Sequence, residues 1–232
     1  MSHSSLMTVM INAARKAARG LQRDFGEVEN LQVSVKGPGD FVTASDRRCE
    51  QILREELAKA RPGYGFLGEE GGATAGSDPE SRWIIDPIDG TTNFIHGVPL
   101  FAIAIAIERA GEIVAGLIYN PVMDELFTAE KGRGAFLNDR RRLRVAARRE
   151  MHDTLVACGL PHRGNAGNEL FRAELAIMQG RVAGLRRTGS ACLDLAYVAA
   201  GRFDAYWERG LKPWDLAAGI VLVREAGGIS PR

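Results

Sequence analysis

"WIIDPIDGTTNF", Trp83 to Phe94, drives three apolar residues into two aspartates three positions apart, then into a glycine and two threonines. Pro87, between the aspartates, has no N–H for a central ladder and biases Asp86 toward extended backbone. A strand that ends in a turn at Pro87 points the Asp86 and Asp89 carboxylates and the Ile88 carbonyl into one space. An oxygen-only cluster of that kind suits a hard cation such as Mg²⁺. Taken alone, the pair has a plainer use: Asp86 caps a turn, and Asp89 caps a helix that begins near Thr91. The following Gly90-Thr91-Thr92 changes the balance. Gly90 allows close backbone approach, and Thr91 and Thr92 open a short helix whose free N–H groups suit a phosphate. Carboxylates and a cation beside an anion cradle are what metal-assisted phosphate hydrolysis needs.

Two other stretches supply matching parts. Glu69 and Glu70 stand at a strand end in "LGEEGG", and Asp215 heads a helix in "KPWDLAAG". By itself Asp215 would be an ordinary N-cap.

The rest of the sequence narrows the class. The chain has 232 residues, 45% hydrophobic and 25% charged, with a formal net charge of +1. Those are globular proportions, and no global charge draws the chain to nucleic acid or an anionic membrane. The longest apolar run, Val98 to Ile107, is about half of the roughly 20 residues needed to span a bilayer and reads as a buried strand. Met1 to Gly20 lacks a secretory signal's apolar core. Arg15, Lys16 and Arg19 with no acid before Asp24 hint at a transit peptide, but Leu6, Met10, Ala14, Ala17 and Leu21 recur at helical spacing, so an amphipathic first helix is the better reading. Cys49, Cys158 and Cys192 are an odd, scattered set and point to a reducing, cytoplasmic setting. His3, His96, His152 and His162 form no zinc motif. The basic run Asp139 to Arg149 has no interleaved aromatic residue and reads as a solvated loop and strand face, so nucleic acid is not expected as a partner.

Helix is expected from Leu6 to about Phe25, then two extended pieces about the turn Gly37-Pro38-Gly39. A helix follows, capped by Ser45 or Asp46 and ended by Pro62-Gly63. "ATAGSDPES" reads as a turn-rich loop. From Trp83 onward "RWIID", "FAIAIAIE", "EIVAGLIYN" and "ELFTAEKG" read as successive strands, and "GRGAFLN" with "LRVA" as a hairpin. After about Asp153 strands alternate with helices at "NELFRAELAIMQG", "SACLDLAYVAAG" and "WDLAAGIVLVREAGG", as in a layered α/β half. The chain thus divides into residues 1–150, carrying most candidate ligands, and residues 151–232.

"FLGEE", "WIIDPIDGTTNFIHGVPLFAIAIA" and "WDLAAGIVLVREAGG" resemble, in order, the three signature segments of the inositol monophosphatase family, lithium-sensitive Mg²⁺-dependent phosphomonoesterases related to fructose-1,6-bisphosphatase. "DFVTASD", "AEKGRGAF" and "RRTGSACLDLAYVAAGRFDAYWERG" resemble it too. The resemblance implies an α/β (α+β) fold, a layered αβαβα sandwich with an antiparallel sheet in the first half and a mixed sheet in the second. It implies metal ligation by Glu69, Asp86, the Ile88 carbonyl, Asp89 and Asp215, with Glu70 outside the immediate ligands. It assigns Gly90 and Thr91 to the phosphate, and Glu69 and the Thr91–Asp46 pair to orienting the attacking water. Asp89, Ser190, Ala191 and Glu208 correspond to contacts with the substrate's hydroxyl-bearing part. Two or three Mg²⁺ ions and a homodimer are implied as well.

The implied reaction is hydrolysis of a small phosphate monoester, foremost myo-inositol 1-phosphate, by metal-activated water. Fructose 1,6-bisphosphate, histidinol phosphate and a 3′-phosphonucleotide stay open as substrates, as does a catalytically weak role in binding protein or RNA. The resemblance also implies a further strand, loop and helix after "EAGGIS". A truncated or frame-shifted source, an exposed sheet edge and reliance on dimerisation are the expectations there.

Overall fold

The alternation from Ala102 to Ile107 is apolar at every position, which fits a strand covered on both faces. Strand β6 (Ala102–Arg109) carries it. Ile103, Ile105 and Ile107 point into one core and Ala102, Ala104 and Ala106 into another. The computed structural model describes residues 3–25, 33–37, 40–161 and 167–230. His162, the Pro38-Gly39 part of the expected turn and the last two residues lie outside them.

The isoleucine face packs against helices α1 (Ser5–Phe25) and α2 (Ala44–Ala60). Met7, Met10, Ile11, Ala14, Ala17 and Leu21 of α1 are all buried, as the helical spacing requires. Each large one contributes about 1.5–3 kcal/mol relative to exposure. Between the helices, β1 (Val33–Gly37) and β2 (Asp40–Thr43) form an antiparallel pair.

Eight strands make the main sheet. They are β3 (Tyr64–Gly68), β4 (Gly72–Thr74), β5 (Asp78–Asp89), β6, β7 (Glu112–Asn120), β8 (Glu125–Glu130), β9 (Gly134–Leu137) and β10 (Arg141–Arg142), in the order β10-β9-β8-β7-β6-β5-β3-β4. All pairings are antiparallel except β3 with β5.

The alanine face is narrow, and helix α6 (Pro213–Glu225) uses the space. A Cβ on Gly116 of β7 would lie 2.6 Å from Val221 and 2.7 Å from the Ala218 carbonyl. A Cβ on Gly219 would lie 2.4 Å from the Leu195 side chain of α5 (Ala191–Ala199). Small residues therefore set how closely α5 and α6 approach the sheet and each other. Beyond α5 lies a second sheet of parallel strands β12 (Gly184–Arg186), β11 (Leu155–Cys158) and β13 (Ala205–Trp207). Helix α4 (Asn168–Gln179) covers it, with Phe171 stacked near Trp207 at 6.3 Å. The layers run α, β, α, β, α, as expected. The parallel pairs fall differently: one sits in the first sheet, and the described part of the second is wholly parallel.

Four local expectations change. "ATAGSDPES" is largely strand, because Gly72–Thr74 pairs with β3 and Asp78 opens β5. The second arm of the last hairpin is Arg141–Arg142 rather than Leu143–Ala146. Val98 is exposed and precedes the strand that follows it. The cap of α2 is Thr43: its hydroxyl accepts the N–H groups of Ser45 and Asp46 while Asp46 accepts that of Thr43, a reciprocal capping box.

Candidate active site

Strand β5 does not end at Pro87. Asp86 pairs with Ala104 and Asp89 with Ala102, so three steps on β5 match two on β6. This is a bulge, the place where a sheet tolerates a residue without an N–H. The bulge turns the Asp86 and Asp89 side chains toward the same end of the sheet. Behind it the buried Cys49 thiol donates to the Pro87 carbonyl at 3.3 Å, tying the bulge to α2. Gly90 then adopts φ 99°, and a Cβ there would meet the Leu100 carbonyl at 3.0 Å, so the turn requires glycine. Helix α3 (Thr91–Ile95) starts at once, with Gly90 rather than Asp89 at its cap.

A cavity of about 160 Å³ opens at this bulge. Glu69, at the end of β3, lines it together with Asp86, Asp89 and Asp215, as does Ile88. Gly90, Thr91, Ser190, Ala191 and Glu208 complete the sequence-derived set around it. Asp46 does not line the cavity. It stands behind Thr91, whose hydroxyl lies 3.1 Å from Asp46 Oδ1 and 3.0 Å from the Ile88 carbonyl. Glu70 is absent from the lining and faces a shallow depression beside Glu50 and Arg54. Larger cavities of about 380 Å³ beside His3 and about 550 Å³ beside Ile113 gather no such set of carboxylates.

Each aspartate is anchored by one oxygen to a neighbouring N–H. Asp86 Oδ1 accepts that of Ile88 at 3.0 Å, Asp89 Oδ2 that of Cys192 at 2.7 Å, and Asp215 Oδ2 that of Lys212 at 2.7 Å. Asp215 is thus the third residue of α6, reaching back to Lys212, and not its N-cap. Asp89 Oδ2 also accepts the Ser190 hydroxyl. Asn93 holds that loop in place by donating to the Leu100 carbonyl at 2.6 Å and the Thr188 carbonyl at 2.8 Å.

Burial, followed by repulsion from Glu69, Asp89, Asp215 and Asp46, pushes the Asp86 carboxyl well above the usual range. Burial foremost also raises Asp89 to about 7, against donation from Ser190 and Cys192. Crowded carboxylates are costly, and among the described residues Arg187 alone brings a positive charge to the cavity lining. The carboxylate oxygens are the donors a hard divalent cation prefers, so the residues fit Mg²⁺. Among the described residues, no three His, Cys, Asp or Glu side chains are already set to hold one ion.

Several lining residues lie outside the sequence-derived set, Arg187 among them, and two bear directly on the charged groups of the cavity. Asp194 lines the cavity from within α5, accepting the Thr188 hydroxyl at 2.8 Å. A lone aspartate inside the apolar run "ACLDLAYVA" was the available signal. Gly159 lies under Glu208: a Cβ there would fall 1.7 Å from the Glu208 carboxylate carbon. Tyr206 donates to that carboxylate from the other side.

Burial raises Asp194 from 3.8 to about 8. Between those values the unfolded chain loses a proton that the fold retains, so this group lowers stability as pH rises, levelling off above about pH 8. Asp194→Asn keeps an acceptor for Thr188 and removes the ionisation. Its melting temperature is expected to match the parent's near pH 4 and to exceed it by about 5–10 °C at pH 8. An offset independent of pH would show that the fold leaves the Asp194 pKa unshifted.

The profile of the inositol monophosphatase family matches residues 2–231. An inositol-1-monophosphatase from Mesorhizobium japonicum is 62% identical over 98% of this chain and 85% of its own length. A Nus factor SuhB from Pseudomonas aeruginosa is 45% identical over 97% and 84% respectively. The crystal structure of the extragenic suppressor protein suhB from Bartonella henselae superposes with a TM-score of 0.94 at 57% identity, covering 97% of this chain and 86% of that one. The match over nearly the whole length places this chain in the inositol monophosphatase family of phosphoric monoester hydrolases.

Proposed function

We propose that this chain hydrolyses a small polyol phosphate, foremost myo-inositol 1-phosphate, with Mg²⁺ held by Glu69, Asp86, the Ile88 carbonyl, Asp89 and Asp215. The observation that carries the reading is the convergence of these four carboxylates, with Asp194 and Glu208 beside them, on one cavity next to the Gly90–Thr91 turn. When bound, Mg²⁺ neutralises phosphate charge and makes a water acidic enough to attack at neutral pH. The backbone N–H groups of Gly90 and Thr91 take the phosphate. Glu69 and the Thr91 hydroxyl orient the water, with Asp46 accepting from that hydroxyl. Catalysis on this plan is positioning and charge stabilisation, with no covalent phosphoenzyme. The three cysteines are buried, and burial raises all three thiols, so none is a candidate nucleophile.

Glu208, Ser190 and Ala191 form the side of the cavity that receives the alcohol. A hydroxyl-rich leaving group fits the Glu208 acceptor, whereas a nucleotide would want stacking aromatics or extra cations; among the described residues no Phe, Tyr or Trp lines the cavity and one arginine, Arg187, does. Two or three ions, lithium sensitivity, a homodimer and a cytoplasmic setting belong to the same reading. No described helix is long and apolar enough to cross a membrane.

The test is phosphate release from myo-inositol 1-phosphate during Mg²⁺ titration, with LiCl as inhibitor and light scattering for the dimer. Turnover that is independent of divalent cation would sink the proposal. Gly159→Ala should raise KM about tenfold or more with a smaller change in kcat, because the added methyl displaces Glu208 from the substrate's hydroxyls. Equal losses in kcat and kcat/KM would place Glu208 in the chemical step instead.

One observation favours a second reading, a binding role. Arg140, Arg141, Arg142, Arg144, Arg148 and Arg149 are all exposed along one run, and relatives such as the Pseudomonas protein are named Nus factors. A salt-sensitive gel shift with RNA that disappears when these arginines become glutamine would support it.

A further inference from the structure

Glu50 lies on α2, outside the cavity, yet it is only 3% exposed. Both of its oxygens face the loop that follows β3. Oε2 accepts the Glu70 N–H and Oε1 the Gly71 N–H, each at 2.8 Å. Arg54, one turn along, donates to Glu50 Oε1 at 2.8 Å and to the Gly72 carbonyl at 2.8 Å. Its guanidinium also lies over the Phe66 ring at 5.1 Å, and its third arm reaches the Thr74 hydroxyl at 3.3 Å. The loop is shaped to this pair. A Cβ on Gly68 or on Gly71 would stand 2.6 Å from Glu50 Oε1. Glu69 sits between those glycines, and its own N–H reaches the Ile85 carbonyl at 3.3 Å.

We propose that Glu50 and Arg54 form a positioning clamp that fixes Glu69 at the cavity and thereby sets the affinity for divalent cation; this rests on the metal-dependent reading above. A turn of consecutive backbone N–H groups next to a strand end has several conformations of similar energy. A buried carboxylate that accepts two successive N–H groups selects one, and Arg54 fixes it in turn, with one N–H on the carboxylate and a second on the Gly72 carbonyl. Glu69 then projects into the cavity from a rigid base. The clamp acts through Glu69 and touches neither substrate nor cation.

The experiment is calorimetric titration of the full chain and its variants with MgCl₂ in the absence of substrate, alongside amide exchange at Glu70 and Gly71. Glu50→Gln keeps the size but turns one acceptor into a donor facing an N–H. It should weaken Mg²⁺ binding about 10–100-fold, the usual scale for groups that orient ligands. The half-saturating Mg²⁺ for turnover should rise in step, with kcat at saturating Mg²⁺ within about threefold, since added cation recovers the bound geometry. Both amides should exchange faster. If Glu50→Gln does not fold, Arg54→Lys carries the test. It keeps the charge beside Glu50 and loses the fork to Gly72, and about 3–10-fold weaker binding is expected. A lower melting temperature with Mg²⁺ affinity within twofold of the parent would mean that the pair only stabilises the fold, and would overturn the clamp. A parent chain that binds no Mg²⁺ would overturn the metal reading itself and the clamp with it.

Discussion

Asp89→Asn is expected to lose about 10³-fold or more in turnover while melting higher than the parent protein when no divalent cation is present. The two effects have one cause. Asp89 shares a buried cavity with Glu69, Asp86 and Asp215, and its carboxylate accepts from Ser190 and Cys192. Asparagine has nearly the same shape. Its oxygen, placed where Oδ2 now is, can accept both the Cys192 N–H and the Ser190 hydroxyl, and the amide nitrogen takes the place of Oδ1. Packing is therefore kept, and one of several mutually repelling charges is gone, so the fold without cation gains stability. On the proposed reading, the site loses an anionic ligand shared between cation and substrate. Charge stabilisation worth several kcal/mol disappears from the transition state, at about 1.36 kcal/mol per tenfold in rate. The check is a pair of melting curves with and without MgCl₂, plus phosphate release. The parent should gain stability on adding MgCl₂ and the variant should not. A variant that keeps both its Mg²⁺-induced gain and its turnover would remove Asp89 from the ligand set.

Much of this site could be read from sequence because its residues cluster within a few short segments. Asp86, Ile88, Asp89, Gly90 and Thr91 fall in six consecutive positions, and one bulge and one turn place them all. The first helix was equally legible, since its buried face repeats at helical spacing. What stayed hidden depends on partners distant in sequence. The stretch from Gly72 to Asp78 is rich in small residues and turn formers, and only pairing with β3 makes strand of it. Pro87 argued for a strand end, yet the bulge opposite Ala102 and Ala104 carries β5 past it. Thr43 was overlooked as a cap because Ser45 and Asp46 are equally good cap types two and three positions on. Asp194 and Glu50 read as ordinary helix residues. Their roles appear only when Thr188 and the Glu70–Gly71 amides arrive from elsewhere in the chain.

Thr91→Val and Asp46→Asn should each cost about 10²–10⁴-fold in kcat, the range of a positioned proton acceptor, and together cost little more than either alone. Thr91 faces the cavity, whereas Asp46 is fully buried behind it. Asp46 can therefore influence a water in the cavity only through the Thr91 hydroxyl, 3.1 Å away. That hydroxyl has one proton. Given to Asp46 Oδ1, it leaves the Thr91 oxygen free to accept from the water. In Asp46→Asn, the side-chain oxygen is the better partner for the Thr43 N–H, now accepted by Oδ2 at 2.7 Å. The amide nitrogen then faces Thr91 and occupies the lone pair the water would use, while the Thr91 proton turns to the Ile88 carbonyl. Valine at 91 removes the oxygen outright but keeps the backbone N–H that the phosphate needs. Both variants should hence keep the parent's half-saturating Mg²⁺ and lose kcat. Stability is a second readout: asparagine at 46 keeps the Thr43 N–H bond of the α2 capping box and removes a carboxyl that burial raises, so Asp46→Asn should not melt below the parent. Thr91→Val gives up the hydroxyl's bonds to Asp46 and the Ile88 carbonyl and should cost about 1 kcal/mol. Thr91→Ser retains the hydroxyl and should stay within about tenfold of the parent. Additive losses in the double variant, or a serine variant as slow as the valine one, would show that the two residues do not act as one relay.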